Sequence, residues 1–233
     1  MDVVVPDGTQ TAKEDRKIKR KPGRPSVDLE INIEHLCEVA VNVFAEKGYS
    51  GTTTTEITRK AGVARSLIHY YFGNKEELWK ASIKRLAQEF IREFESSKKI
   101  HKDLTGAQMI KVVVRQLVHF FAKYPAFPRI IVQEMNETDE RTDWIIKVLI
   151  YPLYNVTGEL FKRQRKLGTI KKIPKEHQSS ILIGMAYSFF SNPVLQKAVY
   201  GIENYDEDVV ERYADSVVEI FCNGIIAESP SGG

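Results

Sequence analysis

From Ile33 to Ala227 the apolar residues recur three and four positions apart, segment after segment, and no stretch alternates with period two for long enough to make a strand. That spacing puts the apolar side chains on one face of successive helices, so the expected fold class is all-α. Punctuation divides the run. Asn32 is a plausible N-cap and Gly48 a terminator for a first helix carrying Leu36, Cys37, Ala40 and Phe44. Thr53 and Glu56 have capping-box spacing, opening a short helix to about Lys60. Ala61-Gly62-Val63 interrupts it, and a second short amphipathic stretch, Ala64 to Phe72, completes a helix-turn-helix by length and period. Long helices follow: Lys75 to about Ser97, about Thr105 to Lys123, Pro128 to about Asn136, Asp139 to Lys166 with a bend at Pro152, a helix from Pro174 to Ser191, a brief one over Val194 to Tyr200, and a last one from Asp206 to about Ala227.

Charge locates an appendage. Seven basic residues lie between Lys13 and Arg24 against Glu14 and Asp15, a surplus larger than the whole chain's +3, so the remainder is net negative. Residues 1–30 lack apolar periodicity and read as a disordered basic arm. Residues 31–78 then form a helix-turn-helix domain, 79–228 a larger helical domain, and 229–233 a flexible tail. Two further blocks oppose each other in sign. Residues 162–175 hold seven basic residues and no acid, and 203–219 seven acids and only Arg212; they solvate their helices or attract each other within or between subunits.

The start of the chain lacks a signal-peptide pattern, and the uncharged stretch from His177 to Gln196 carries too many polar residues and a proline to span a bilayer. Cys37 and Cys222 lie far apart within apolar-periodic segments, as expected of reduced core thiols. The expected location is the cytoplasm, with no membrane partner. Phosphate-binding loops, dinucleotide fingerprints, zinc-helix motifs and nucleophile elbows are all absent, and the five histidines are scattered, so neither catalysis nor a cofactor or metal is expected.

The segment from Gly51 to Leu78, with Phe44-Ala45 and Gly48-Tyr49 ahead of it, resembles the DNA-binding domain of TetR-family transcriptional regulators. An F-A-x-x-G-Y helix, a G-T-T-x-x-I opening, an A-G-V turn, an aromatic-rich recognition helix and F-x-N-K-E-x-L follow in the family's order and spacing over residues 30–80. The resemblance implies backbone contacts to DNA from Thr54, Tyr70, Tyr71 and Lys75, and base-edge contacts from Thr55, Arg65, Ser66 and His69. The chemistry agrees. A helix N-terminus offers free N–H groups to a phosphate, and Arg65 can donate twice to a guanine edge. Two positions depart from the family. Ala64 replaces the usual Ser or Thr cap, and His69 stands where tyrosine is more usual. Gly23-Arg24-Pro25 resembles the minor-groove core of an AT-hook without its preceding arginine, so Arg24 contacts DNA either there or simply as part of a basic tail.

Beyond residue 80 the family implies effector binding and dimerisation. The candidate ligand residues are Phe90, Phe94, Met109, Val113, Leu117, Phe121, Phe127, Trp144, Tyr151, Tyr154, Met185 and Phe189, whose aromatic content suits a small, largely apolar effector. The candidate homodimer face is a four-helix arrangement carrying Leu182, Met185, Phe189, Val210, Tyr213, Val217 and Phe221. The expected function is a sequence-specific repressor of operator DNA released by a ligand. The alternative is an effector-free architectural or interaction protein that binds DNA.

Overall fold

The computed structural model describes residues 27–100, 104, 106–135 and 139–225. Arg24 and the glycine-arginine-proline core around it lie outside them. Among the described residues no strand forms, and no helix is long and apolar enough to cross a membrane.

Eleven helices are described: α1 (Val27–Gly51), α2 (Thr54–Ala61), α3 (Arg65–Tyr71), α4 (Lys75–Ile100), α5 (Gly106–Lys123), α6 (Ala126–Glu134), α7 (Glu140–Ile145), α8 (Tyr151–Lys166), α9 (Lys175–Ser191), α10 (Pro193–Tyr200) and α11 (Glu207–Ile225). Helix α1 starts at Val27, inside the segment expected to be extended. Its regular part ends at Gly48, whose φ of 71° lies where a Cβ is strained. The chain expected to run unbroken from Asp139 to Lys166 instead passes through a π-helical turn, Ile146–Ile150. Pro152, which has no N–H to donate, stands at the start of α8 directly after this wider turn.

Helices α1, α2 and α3 pack on one another through Leu36, Phe44, Ile57 and Ile68, all 1% exposed or less. Helix α4 joins this unit to the rest: Leu78, Trp79 and Ile83 are buried near its start, Phe90 and Phe94 further along. Its far half meets an aromatic cluster in which Phe127 lies 5.9, 5.3 and 5.6 Å from the rings of Phe90, Phe120 and Phe121. Helix α5 is sandwiched by α9 and α11. Both cysteines are free and buried, and burial pushes the Cys222 thiol up to about 11.

The expected dimer face is in part covered within the single chain. Leu182, Val210, Val217 and Phe221 are 0–6% exposed within the single chain, because they are the residues with which α9 and α11 meet their own core. Met185, Tyr213 and Phe189 are half-buried beside them, with the Tyr213 hydroxyl donating to the Met185 carbonyl and its ring stacked 4.5 Å from Phe189. The outward faces carry other residues, Ile181 at 51% and Ile220 at 65% exposure, with Gly184 and Gly224 leaving open space beside the backbone.

Four acids of the acidic block are paired locally. Arg115 pairs with Glu211 and Asp215, His119 Nε2 lies 3.1 Å from Glu211, Arg212 pairs with Asp208, and Lys197 with Glu203. No ion pair between it and the basic block forms among the described residues; in the basic block Lys162 pairs with Glu159 and Arg165 donates to Gln178.

Candidate nucleic-acid interface

Local chemistry builds the helix-turn-helix. The Thr53 hydroxyl accepts from the Glu56 amide at 3.2 Å, fixing the start of α2. Glu56 turns to Lys47, 2.7 Å away, and that ammonium holds its carboxyl below the usual carboxylate range; Lys60 with Glu46 adds a second tie between α1 and α2. Gly62, at φ 67°, ends α2 in the left-handed conformation that a side chain would strain, and its amide bonds back to Arg59.

Helix α3 begins at Ala64 with no side-chain cap, as the missing hydroxyl implies. The backbone there is extended (φ −68°, ψ 140°), the geometry a capping serine adopts. Ala64→Ser is therefore expected to stabilise the protein by about 1 kcal/mol, raising Tm by roughly 2–4 °C in a calorimetric scan. An unchanged Tm would show that the start of α3 is already satisfied by other means.

Ile68 anchors α3 at 1% exposure, while Arg65, Ser66, His69 and Tyr70 are exposed, Tyr70 at 81%. Tyr71, about 100° further round, is half-buried and meets Tyr70 edge-on at 4.8 Å. Thr54 is the half-buried first residue of α2 and Thr55 is exposed. His69 Nδ1 lies 2.9 Å from the Gly73 carbonyl. A carbonyl can only accept, so Nδ1 carries a proton and donates it, which fixes the ring against the turn that follows α3. Asn74 caps α4 by accepting from the Glu77 amide at 2.9 Å, leaving Lys75 at the helix start. The Lys75 ammonium lies 4.4 Å from the centre of the Tyr49 ring, and burial, aided by nearby Arg141, pushes its pKa down. The sequence reading missed Tyr49 and Arg141 as neighbours of that lysine. The aromatic at 49 was visible; the arginine, 66 residues away from Lys75, had no local signal.

The expected ligand residues fall into two sets. Phe90, Phe94, Leu117, Phe121 and Phe127 are at most 2% exposed and packed against one another as core. Met109, Val113, Trp144, Tyr154, Met185 and Phe189 are half-buried, and Tyr151 is 57% exposed. Clefts open elsewhere: about 430 Å³ between α1, α4 and the α5–α6 turn, about 690 Å³ between α4 and α5, and about 420 Å³ between α4 and α7, the last including Trp144. Aromatic side chains fill the space between α4, α5 and α6 where an open cavity was expected.

Residues 36–81 match the family described as bacterial regulatory proteins, tetR family, and residues 103–231 match the tetracyclin repressor-like C-terminal domain. The fatty acid metabolism regulator protein of Bacillus subtilis is 32% identical over 190 residues, 82% of this chain and 93% of that protein. The biofilm operon negative transcriptional regulator IcaR of Staphylococcus epidermidis is 31% identical over 58 residues, which span 25% of this chain and 31% of IcaR. Among solved structures, the transcriptional regulator FadR from Bacillus subtilis in complex with stearoyl-CoA superposes with a TM-score of 0.62 at 22% identity, covering 82% of this chain and 97% of that one. With one match over the helix-turn-helix and another over the C-terminal domain, the chain belongs to the TetR family of bacterial transcriptional regulators.

Proposed function

We propose that this regulator is a homodimeric repressor that reads a roughly palindromic operator with α3 and leaves it when a small, largely apolar ligand binds the C-terminal domain, acting in the cytoplasm. The observation that carries the DNA-binding part is the outward face of α3. Arg65, Ser66, His69 and Tyr70 are exposed on a short helix whose opposite side is locked by Ile68. Such a face reads base edges in a major groove, Arg65 at guanine, with Thr54 and Lys75 placed for flanking phosphates.

The outward faces of α9 and α11 support dimerisation. Ile181 and Ile220 are exposed apolar side chains, and Gly184 and Gly224 permit close helix approach. The double variant Ile181→Asp, Ile220→Asp is expected to have the 26.6 kDa mass of one chain by light scattering at micromolar concentration, where the parent has twice that mass. A parent of single-chain mass would refute the dimer.

A long-chain acyl-CoA is the first ligand to test, because FadR from Bacillus subtilis was solved with stearoyl-CoA. The filled aromatic core favours a second reading, an effector-free DNA-binding protein. A thermal-shift screen of acyl-CoAs of graded chain length separates the two, each stabilising compound being retested for operator release. A true effector is expected to weaken operator binding by about 5- to 150-fold. Stabilising compounds that all leave operator affinity unchanged would establish the effector-free reading.

A further inference from the structure

The Tyr49 ring is shared by two cations from different parts of the molecule. Lys75 Nζ lies 4.4 Å from its centroid and the Arg141 guanidinium carbon 4.5 Å. Tyr49 follows the Gly48 turn at the end of α1 and is held by the α1 and α4 aromatics: Phe44 stacks on it at 6.0 Å, and Trp79 meets it edge-on at 5.8 Å. Trp79 in turn lies 5.3 Å from Trp144 on α7. Arg141 also belongs to α7, where Asp139 (2.6 Å) and Glu134 (3.7 Å) hold its head group. A residue of the C-terminal domain thus sits on the same ring as the lysine at the start of α4, facing α4 across a cleft of about 420 Å³ lined by Glu76, Lys80, Asp139, Glu140, Arg141 and Trp144.

An aromatic face attracts a cation through its quadrupole, and a second cation on the same ring repels the first. With Arg141 in place, Lys75 is held on Tyr49 less firmly than it would be alone, and its ammonium is more readily given up to a phosphate. We propose that Arg141 is a positioning residue through which the C-terminal domain sets how readily Lys75 contacts the DNA backbone. The proposal rests on the reading of Lys75 as a phosphate contact. It also supplies a route between the two domains separate from the length of α4: any displacement of α7 changes the occupancy of the Tyr49 ring.

A double-variant cycle on the full chain tests it, using an operator duplex selected from random sequence and the variants Arg141→Gln, Lys75→Ala and their combination. Arg141→Gln is expected to weaken duplex binding roughly threefold to tenfold in the parent, and by less than about twofold where Lys75 is already alanine. Arg141→Lys, which keeps the charge on the ring, is expected to restore most of the affinity. Should Arg141→Gln unfold the protein, Arg141→Met keeps the apolar stem and replaces it in the cycle. Equal losses in both Lys75 backgrounds would make Arg141 a general charge or packing residue and overturn the proposal, as would no loss at all. If Lys75→Ala alone bound every duplex as the parent does, the phosphate contact itself would fail, and the proposal with it.

Discussion

Phe127→Ala is expected to cost about 3–5 kcal/mol of unfolding free energy. Phe127 is completely buried at the start of α6, and its ring lies within 6 Å of Phe90 on α4 and of Phe120 and Phe121 on α5. Truncation removes contacts to three rings on two helices at once, and buried neighbours on fixed helices can collapse only partly into the space. Denaturant unfolding of the variant against the parent measures this. A loss below about 1 kcal/mol would show that the cluster repacks freely, and a core that repacks freely could also open for an acyl chain.

That cluster shows where the sequence was informative. Phe90, Phe121 and Phe127 could be placed on inward helical faces by spacing alone, but spacing cannot tell a packed aromatic core from the wall of a cavity, since both need apolar residues at the same positions. A related ambiguity attends the dimer face. Helix α9 carries Ile181, Leu182, Ile183, Met185 and Ala186 in near succession, so it is apolar on more than one side, and the sequence does not say which side meets its own chain. The structure turns Leu182 inward and leaves Ile181 exposed. The helix-turn-helix was legible because its signals are local: Thr53 three residues ahead of Glu56, Gly62 at the turn, and Leu67, Ile68 and Phe72 spaced to pack inward, of which Ile68 is buried and the other two half-buried. The pairing of Lys75 and Arg141 on Tyr49 was illegible, because it depends on how α7 docks against α1 and α4, and the π-helical turn behind α7 has no sequence signature of its own.

Arg65→Ala is expected to remove most discrimination between operator and random duplex. Arg65 is exposed at the first position of α3, where its fork can reach a guanine edge, and loss of such a bidentate contact costs about 1–3 kcal/mol of base discrimination, or roughly 5- to 150-fold. Each half of a symmetric dimer would lose it, so the effect on a two-site operator exceeds that on a half-site. Lys75→Ala acts differently, because a phosphate contact is made to any sequence.

The most direct measurement is therefore the affinity of the parent, Arg65→Ala and Lys75→Ala for a selected operator and for random duplex of equal length, over a salt range of about 50 to 200 mM. Arg65→Ala is expected to lower the ratio of operator to random affinity, while Lys75→Ala weakens both duplexes by a similar factor and reduces the salt slope by about one for each subunit bound. An unchanged ratio in Arg65→Ala would contradict the assignment of α3 as the helix that reads DNA.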